Sequence, residues 1–205
     1  MSDAPTSAEA EPVRLLTVCT GNICRSPYAA VLLQDGLEWA RPGAFEVTSA
    51  GTHALVGRPM DPGSRSILDD LGVTRTGAPA RLVVGTVVAQ QAFVLVMSGR
   101  HRELVLEECP SVHRRTVGIV DLAQALTSVA ERYSWPHLLA DSGAKEVRGR
   151  WRVLPELLLA LGAMPQQVTE VEDPYGRGPD AFARMAGQLD DAVRTITYWE
   201  AQFPR

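Results

Sequence analysis

The chain has almost no lysine: 19 of its 20 basic residues are arginine, and Lys145 is the exception. Acidic residues number 24, giving a net charge of -4. That balance argues against nucleic-acid binding, which usually needs a basic face. Cysteine is scarce too, with three in 205 residues, so a disulfide framework is excluded. Cys19 and Cys24 are not spaced as C-x-x-C, and no Cys/His pair elsewhere stands at metal-ligand spacing, which argues against zinc. No apolar run reaches the ~18 residues of a membrane-spanning helix. Residues 1–12 lack the positive and apolar regions of a secretory signal and read as a disordered tail. The expected setting is soluble, reducing and cytoplasmic, which suits a working thiol.

Residues 13–205 read as one domain, since 45% hydrophobic content is enough for a full core. Val13 to Val18 is a short β-branched run typical of a buried strand. Cys19 to Ser26 follows as a loop, and Pro27 opens a helical pattern. Further strands are expected at 45–48, 92–97 and 116–120. Between them, helices are expected at 61–71, 83–91 and from Ser98 to before Pro110. Strands alternating with helices predict an α/β fold, a parallel sheet with helices on both faces. Ligands of such sheets bind at the carboxyl ends of the strands, where Cys19 lies. Residues 122–167 differ. They hold two helical patterns, 122–133 and 151–161, with a connecting stretch between and no strand. A closing amphipathic helix is expected from 182 to 203, burying Met185, Leu189, Val193 and Ile196.

The chemistry concentrates in Cys19-Thr20-Gly21-Asn22-Ile23-Cys24-Arg25-Ser26. A loop ending on a helix N-terminus aims backbone N–H groups inward, and the helix dipole favours an anion there. The same field supports a thiolate nucleophile. Arg25 can fold its planar fork back over the loop and hold two phosphate oxygens, which lysine does less well. Gly21 permits the close turn, and Asn22 is a common non-glycine choice for a left-handed position. The Ser26 hydroxyl is placed to bond the Cys19 sulfur. The whole reads as a phosphate cradle with a cysteine nucleophile, working through a phosphocysteine without cofactor or metal. Such a reaction needs a general acid and later a base. Glu170, Glu172 and Asp173 cluster before Pro174-Tyr175-Gly176, and Asp173 is the candidate.

These motifs, together with SAGTHALVGRPMDP from residue 49, VLVM at 94–97 and EDPYG at 172–176, resemble the low-molecular-weight protein tyrosine phosphatases. The resemblance covers roughly residues 13–120 and 170–203. It implies a small four-stranded parallel sheet and phosphotyrosine monoester hydrolysis. It assigns Cys19 as nucleophile, Arg25 as phosphate clamp, Asp173 as general acid and then base, and Tyr175 as a wall of the slot. Residues 20–24 and Ser26 would contact the phosphate or shape the loop around it. Asn22 would anchor the loop by bonding to Ser49.

The ALVG wording resembles bacterial members acting on autophosphorylating tyrosine kinases, and makes Leu55 the candidate wall residue. A phosphotyrosine protein of that kind is the implied partner. Two departures stand out. The family's histidine supporting the anchoring Asn is replaced by Gly77-Ala78-Pro79, which puts the support of Asn22 in doubt. About 45 residues are inserted before Asp173, either as a lid or docking surface or as packing.

Two roles for Cys24 are open: redox partner of Cys19, which the resemblance implies, or small apolar filler. Cys109 reads as a core or helix-end residue, and His101 and His113 as surface or packing residues. Thiol-linked arsenate reduction and phosphotyrosine binding without turnover are the competing functions.

Overall fold

A computed structural model describes residues 11–204. Most of the expected tail therefore lies outside the described residues. Four parallel strands form one sheet in the order β2-β1-β3-β4. They are β1 (Val13–Cys19), β2 (Phe45–Gly51), β3 (Phe93–Val96) and β4 (Thr116–Gly118). Side chains alternate across a strand, so both faces must be covered. Leu16, Val18, Val94 and Val96 pack with Val88 and Val105, which lie on α3 (Gly85–Ala89) and α4 (Gly99–Glu108). Leu15, Phe93 and Leu95 face the larger core. That side is built from α1 (Arg25–Ala40), α2 (Pro62–Asp70), α5 (Ile119–Ala130) and α8 (Pro179–Ala201). Met185, Leu189, Val193 and Ile196 of α8 are all buried there.

Several boundaries differ from the sequence expectation. β2 runs on through Ser49, Ala50 and Gly51, because Cys19 pairs with Gly51 across the ladder. β4 ends at Gly118 and α5 begins at Ile119, earlier than the amphipathic pattern indicates. α3 is only five residues long.

The stretch read as a connection contains a helix, α6 (Trp135–Asp141), ahead of α7 (Val147–Ala160). Pro136 is tolerated in its first turn, where a missing N–H costs nothing. Gly143, at φ 71°, follows just beyond its end. Seven residues are too few for periodicity to declare a helix.

The insertion packs at the amino ends of the strands. Trp151 meets Phe45, the first residue of β2, edge-on at 5.4 Å between ring centroids, and Phe93, the first of β3, at 5.7 Å. Trp199 of α8 stands edge-on to both Trp135 and Trp151 at 5.5 Å. Beneath this aromatic cluster lies a buried charge network. Glu200 accepts from Arg41 Nε at 3.0 Å, from Arg150 Nη2, and from Trp151 Nε1 at 3.0 Å. The Arg150 guanidinium also lies 4.6 Å from the Phe203 ring centre. Arg41 follows α1, whereas Arg150 and Trp151 belong to the insertion. The network ties the inserted helices to the core at the pole opposite Cys19.

Candidate active site

β1 ends on Cys19, and the chain turns at once into the sixteen-residue α1. Cys24 occupies the N-cap with no side-chain cap, and no acidic side chain lies in the first turn. The helix end therefore keeps its positive field for a ligand. Loop carbonyls point outward, where Thr20 O, Gly21 O and Ile23 O accept the N–H groups of His53, Leu55 and Asp61. Gly21, Asn22, Ile23 and Cys24 direct no N–H to another group among the described residues. The loop is thus held from outside with its donors unspent.

Asn22 supplies the turn, as the one non-glycine described residue with positive φ, at 55°. Its Nδ2 donates to Ser26 Oγ at 2.9 Å, and Ser26 Oγ lies 3.0 Å from Cys19 Sγ. Ser26 Oγ also stands 3.3 Å from Ala50 O. The expected bond from Asn22 to Ser49 is replaced. Asn22 Oδ1 accepts the Arg81 backbone N–H at 2.9 Å, and Arg81 Nε donates to Ser49 O at 2.9 Å. A main-chain donor thus does the work assigned to the missing histidine, and the support of Asn22 is complete. Gly51 lets the loop approach β2. A Cβ there would lie 2.4 Å from Thr20 O.

The acid segment reaches the same place from the end of the insertion. Thr169 donates its N–H and hydroxyl to the buried Asp121 carboxylate, at 3.0 and 2.7 Å to the nearest oxygens. Val171 N–H then bonds Met97 O at 2.9 Å, at the carboxyl end of β3. Glu172 turns away to meet both arms of Arg184 at 2.8 and 2.9 Å, and that bonding holds its pKa low. Of the acidic cluster, Asp173 reaches the cleft. Its Oδ2 accepts from Arg25 Nη2 at 2.5 Å, and its Oδ1 accepts the Tyr175 N–H at 3.2 Å. Arg25 is only 4% exposed and its Nε has no partner among the described residues.

Cys19, Thr20, Gly21, Ile23, Cys24 and Arg25 form the floor of a cleft of about 190 Å³. His53, Leu55, Asp173 and Tyr175 form its walls. Asn22 and Ser26 are not part of the lining and support the loop from behind. Leu55 and Tyr175 are exposed at the rim, as a contact for an incoming ring would be. A larger groove between α1 and α8, lined by Trp39 and Tyr198, contains no nucleophile.

Two nearby groups have shifted proton affinities. Burial, then the neighbouring Asp61, push the Cys24 thiol up to about 12, so it is protonated at neutral pH. Burial, then Arg25, pull His101 down to about 4. Of the two roles expected for His101, surface or packing, the structure gives it an enclosed place, with partners that neither role specifies. It is 4% exposed, with Nε2 at 2.9 Å from Thr20 Oγ1 and Nδ1 at 2.9 Å from Ser98 Oγ. The sequence hint is Ser98 opening a helix three residues earlier, which puts position 101 on the same turn. His113 lies exposed in the 3-10 turn before β4.

The family model for low molecular weight phosphotyrosine protein phosphatase matches residues 14–131. The probable low molecular weight protein-tyrosine-phosphatase EpsP of Ralstonia nicotianae is 36% identical over 97 residues, 47% of this chain and 63% of that protein. The match thus spans less than two thirds of that relative. Etp of Escherichia coli K12, a low molecular weight protein-tyrosine-phosphatase, is 29% identical over 178 residues, 87% of this chain and 88% of its own. The crystal structure of the Erwinia amylovora tyrosine phosphatase AmsI superposes with a TM-score of 0.62 at 24% identity. It covers 98% of this chain and 99% of its own, which shows the shared fold.

Proposed function

Because the chain belongs to the low-molecular-weight protein tyrosine phosphatase family, we propose that it hydrolyses phosphotyrosine monoesters in two steps. Cys19 Sγ attacks phosphorus, the bond to the aryl oxygen breaks, and Asp173 supplies the proton that the leaving oxygen needs. Water then attacks the phosphocysteine, Asp173 takes its proton, and the phosphorus–sulfur bond breaks to return the thiolate. Ser26 Oγ, 3.0 Å from the sulfur, stabilises charge on it in both steps.

One observation carries this reading. The nucleophile sits at the foot of uncommitted N–H donors, with Arg25 and Asp173 meeting above it. Arg25 holds Asp173 through one arm of its guanidinium. Phosphate oxygens compete for the same guanidinium, so substrate binding releases the carboxyl toward the leaving oxygen. Ile23, Leu55 and Tyr175 offer apolar and aromatic surface to a phenyl ring. That surface supports an aryl ester over a short seryl ester or a charged phosphoguanidinium.

The ALVG segment supports a phosphotyrosyl segment of an autophosphorylating bacterial kinase as partner, and a cytoplasmic setting. No helix among the described residues is long and apolar enough to cross a membrane.

The decisive test is hydrolysis of p-nitrophenyl phosphate and of phosphotyrosyl, phosphoseryl and phosphoarginyl peptides. Turnover confined to the aryl esters is expected. A wild type that leaves all of them intact, yet consumes thiol when given arsenate, overturns the proposal.

A further inference from the structure

Thr20 follows the nucleophile directly and is one of the few exposed residues of the loop. Its hydroxyl lies 2.9 Å from Nε2 of His101, a residue 81 positions away and almost wholly enclosed. The other ring nitrogen is 2.9 Å from Ser98 Oγ, and Ser98 caps α4 by accepting the His101 N–H at 3.3 Å. Two tautomers of His101 fit these distances, and one of them frees a hydrogen at Thr20. Ser98 Oγ already accepts one N–H, so its own hydrogen is available for Nδ1. In the tautomer with Nδ1 accepting that hydrogen, Nε2–H donates to Thr20 Oγ1 and the hydrogen of the Thr20 hydroxyl is free to point into the cleft.

We propose that His101 is a positioning residue that turns the Thr20 hydroxyl into an additional donor for the bound phosphate. The proposal rests on the phosphatase reading of the site. It adds a side-chain donor, set by the N-cap of α4, to the backbone donors of the cradle. The charged groups that act on His101 are Arg25, Asp173 and His53. They surround the cleft, so the ring stands within the field of the reacting groups.

A double-mutant cycle tests this, with inorganic phosphate as the probe ligand and an aryl phosphate as substrate. Thr20→Val removes the hydroxyl and keeps the shape. His101→Ala removes the orienting nitrogen, and His101→Gln restores an N–H near the Nε2 position. Each of the first two should weaken phosphate binding and lower kcat/KM by about tenfold, the loss expected for one hydrogen bond to a charged group. The double variant should lose no more than either single one. His101→Gln should recover most of the loss caused by His101→Ala, and Thr20→Ser most of the loss caused by Thr20→Val.

Two results overturn the proposal: a Thr20→Val protein that binds phosphate as tightly as wild type, or losses that simply add. A purely structural His101 would lower the melting temperature without changing phosphate affinity of the folded protein. If the wild type binds phosphate but turns over no ester, the phosphatase reading fails. The binding cycle still decides the role of His101.

Discussion

The molecule holds two arginine–carboxylate contacts at opposite ends of one sheet, and their surroundings are opposite too. At the amino pole, Glu200 is fully buried between Arg41 and Arg150, with Trp151 as a third donor. At the carboxyl pole, Asp173 pairs with Arg25 alone among charged side chains and remains 41% exposed. Desolvation makes a buried ion group costly to disturb, whereas a carboxylate that stays partly in water exchanges partners more cheaply. The first contact is a fastening, and the second, on the proposed mechanism, is one that a phosphate replaces. Chemistry of the same type would then serve structure at one end and the proposed turnover at the other.

The largest effect should come from Cys19→Ser, which ought to cut turnover by about 10⁴-fold or more while phosphate binding persists. Retained turnover measured by phosphate release would remove Cys19 from the mechanism. Next, Glu200→Gln should leave two buried guanidiniums short of charge and lower stability by about 3–5 kcal/mol. Kinetic constants of the folded protein should stay unchanged. A chemical denaturation curve matching wild type would show the network to be no fastening at all.

The catalytic pole should also respond to acid through His101. Its folded pKa of about 4 lies below the ordinary 6.5. The unfolded chain therefore takes up a proton between those values that the folded protein refuses. Stability should be unaffected above about pH 6.5 and should fall as pH drops toward 4, by about 3 kcal/mol at the limit. His101→Gln should flatten that part of the stability–pH curve, and an unaltered slope would count against a buried neutral ring.

A smaller loss is expected for Asp173→Asn. It should slow hydrolysis of phenyl phosphate by about 100-fold. p-Nitrophenyl phosphate, whose leaving group needs little protonation, should suffer less. Stability should fall less than for Glu200→Gln, because Asp173 is 41% exposed even though Arg25 is buried. Equal losses on both esters would argue that Asp173 only orients Arg25.

What the sequence made legible follows from how far apart the cooperating residues lie. The cradle is one unbroken segment between a strand and a helix, so spacing alone exposed Cys19, Arg25 and Ser26. The strand–helix alternation exposed the sheet in the same way. Asn22 could be placed in the turn but not its partner, because the donor is the backbone N–H of Arg81, and a main-chain group carries no residue signature. The Thr20 partner of His101 carries no sequence signal, because it comes near only through the β1–β3 pairing. Within the insertion, Trp151 and Arg150 looked like parts of an ordinary connection and helix. Their role became visible only when β2, β3 and α8 converged on them.

The strand order has a consequence for how the two halves of the site breathe. β1 is an inner strand, hydrogen-bonded along both edges, to β2 and to β3. Its amides should therefore exchange with deuterium only through near-global opening. The acid segment at 169–173 is held instead by bonds to Asp121, Met97, Gln188, Arg184 and Arg25 and by the buried Val171, none of them part of the strand ladder. Its amides should exchange through local opening that leaves the sheet ladder closed. The nucleophile would then share the lifetime of the whole fold, and the acid would keep a much faster clock of its own.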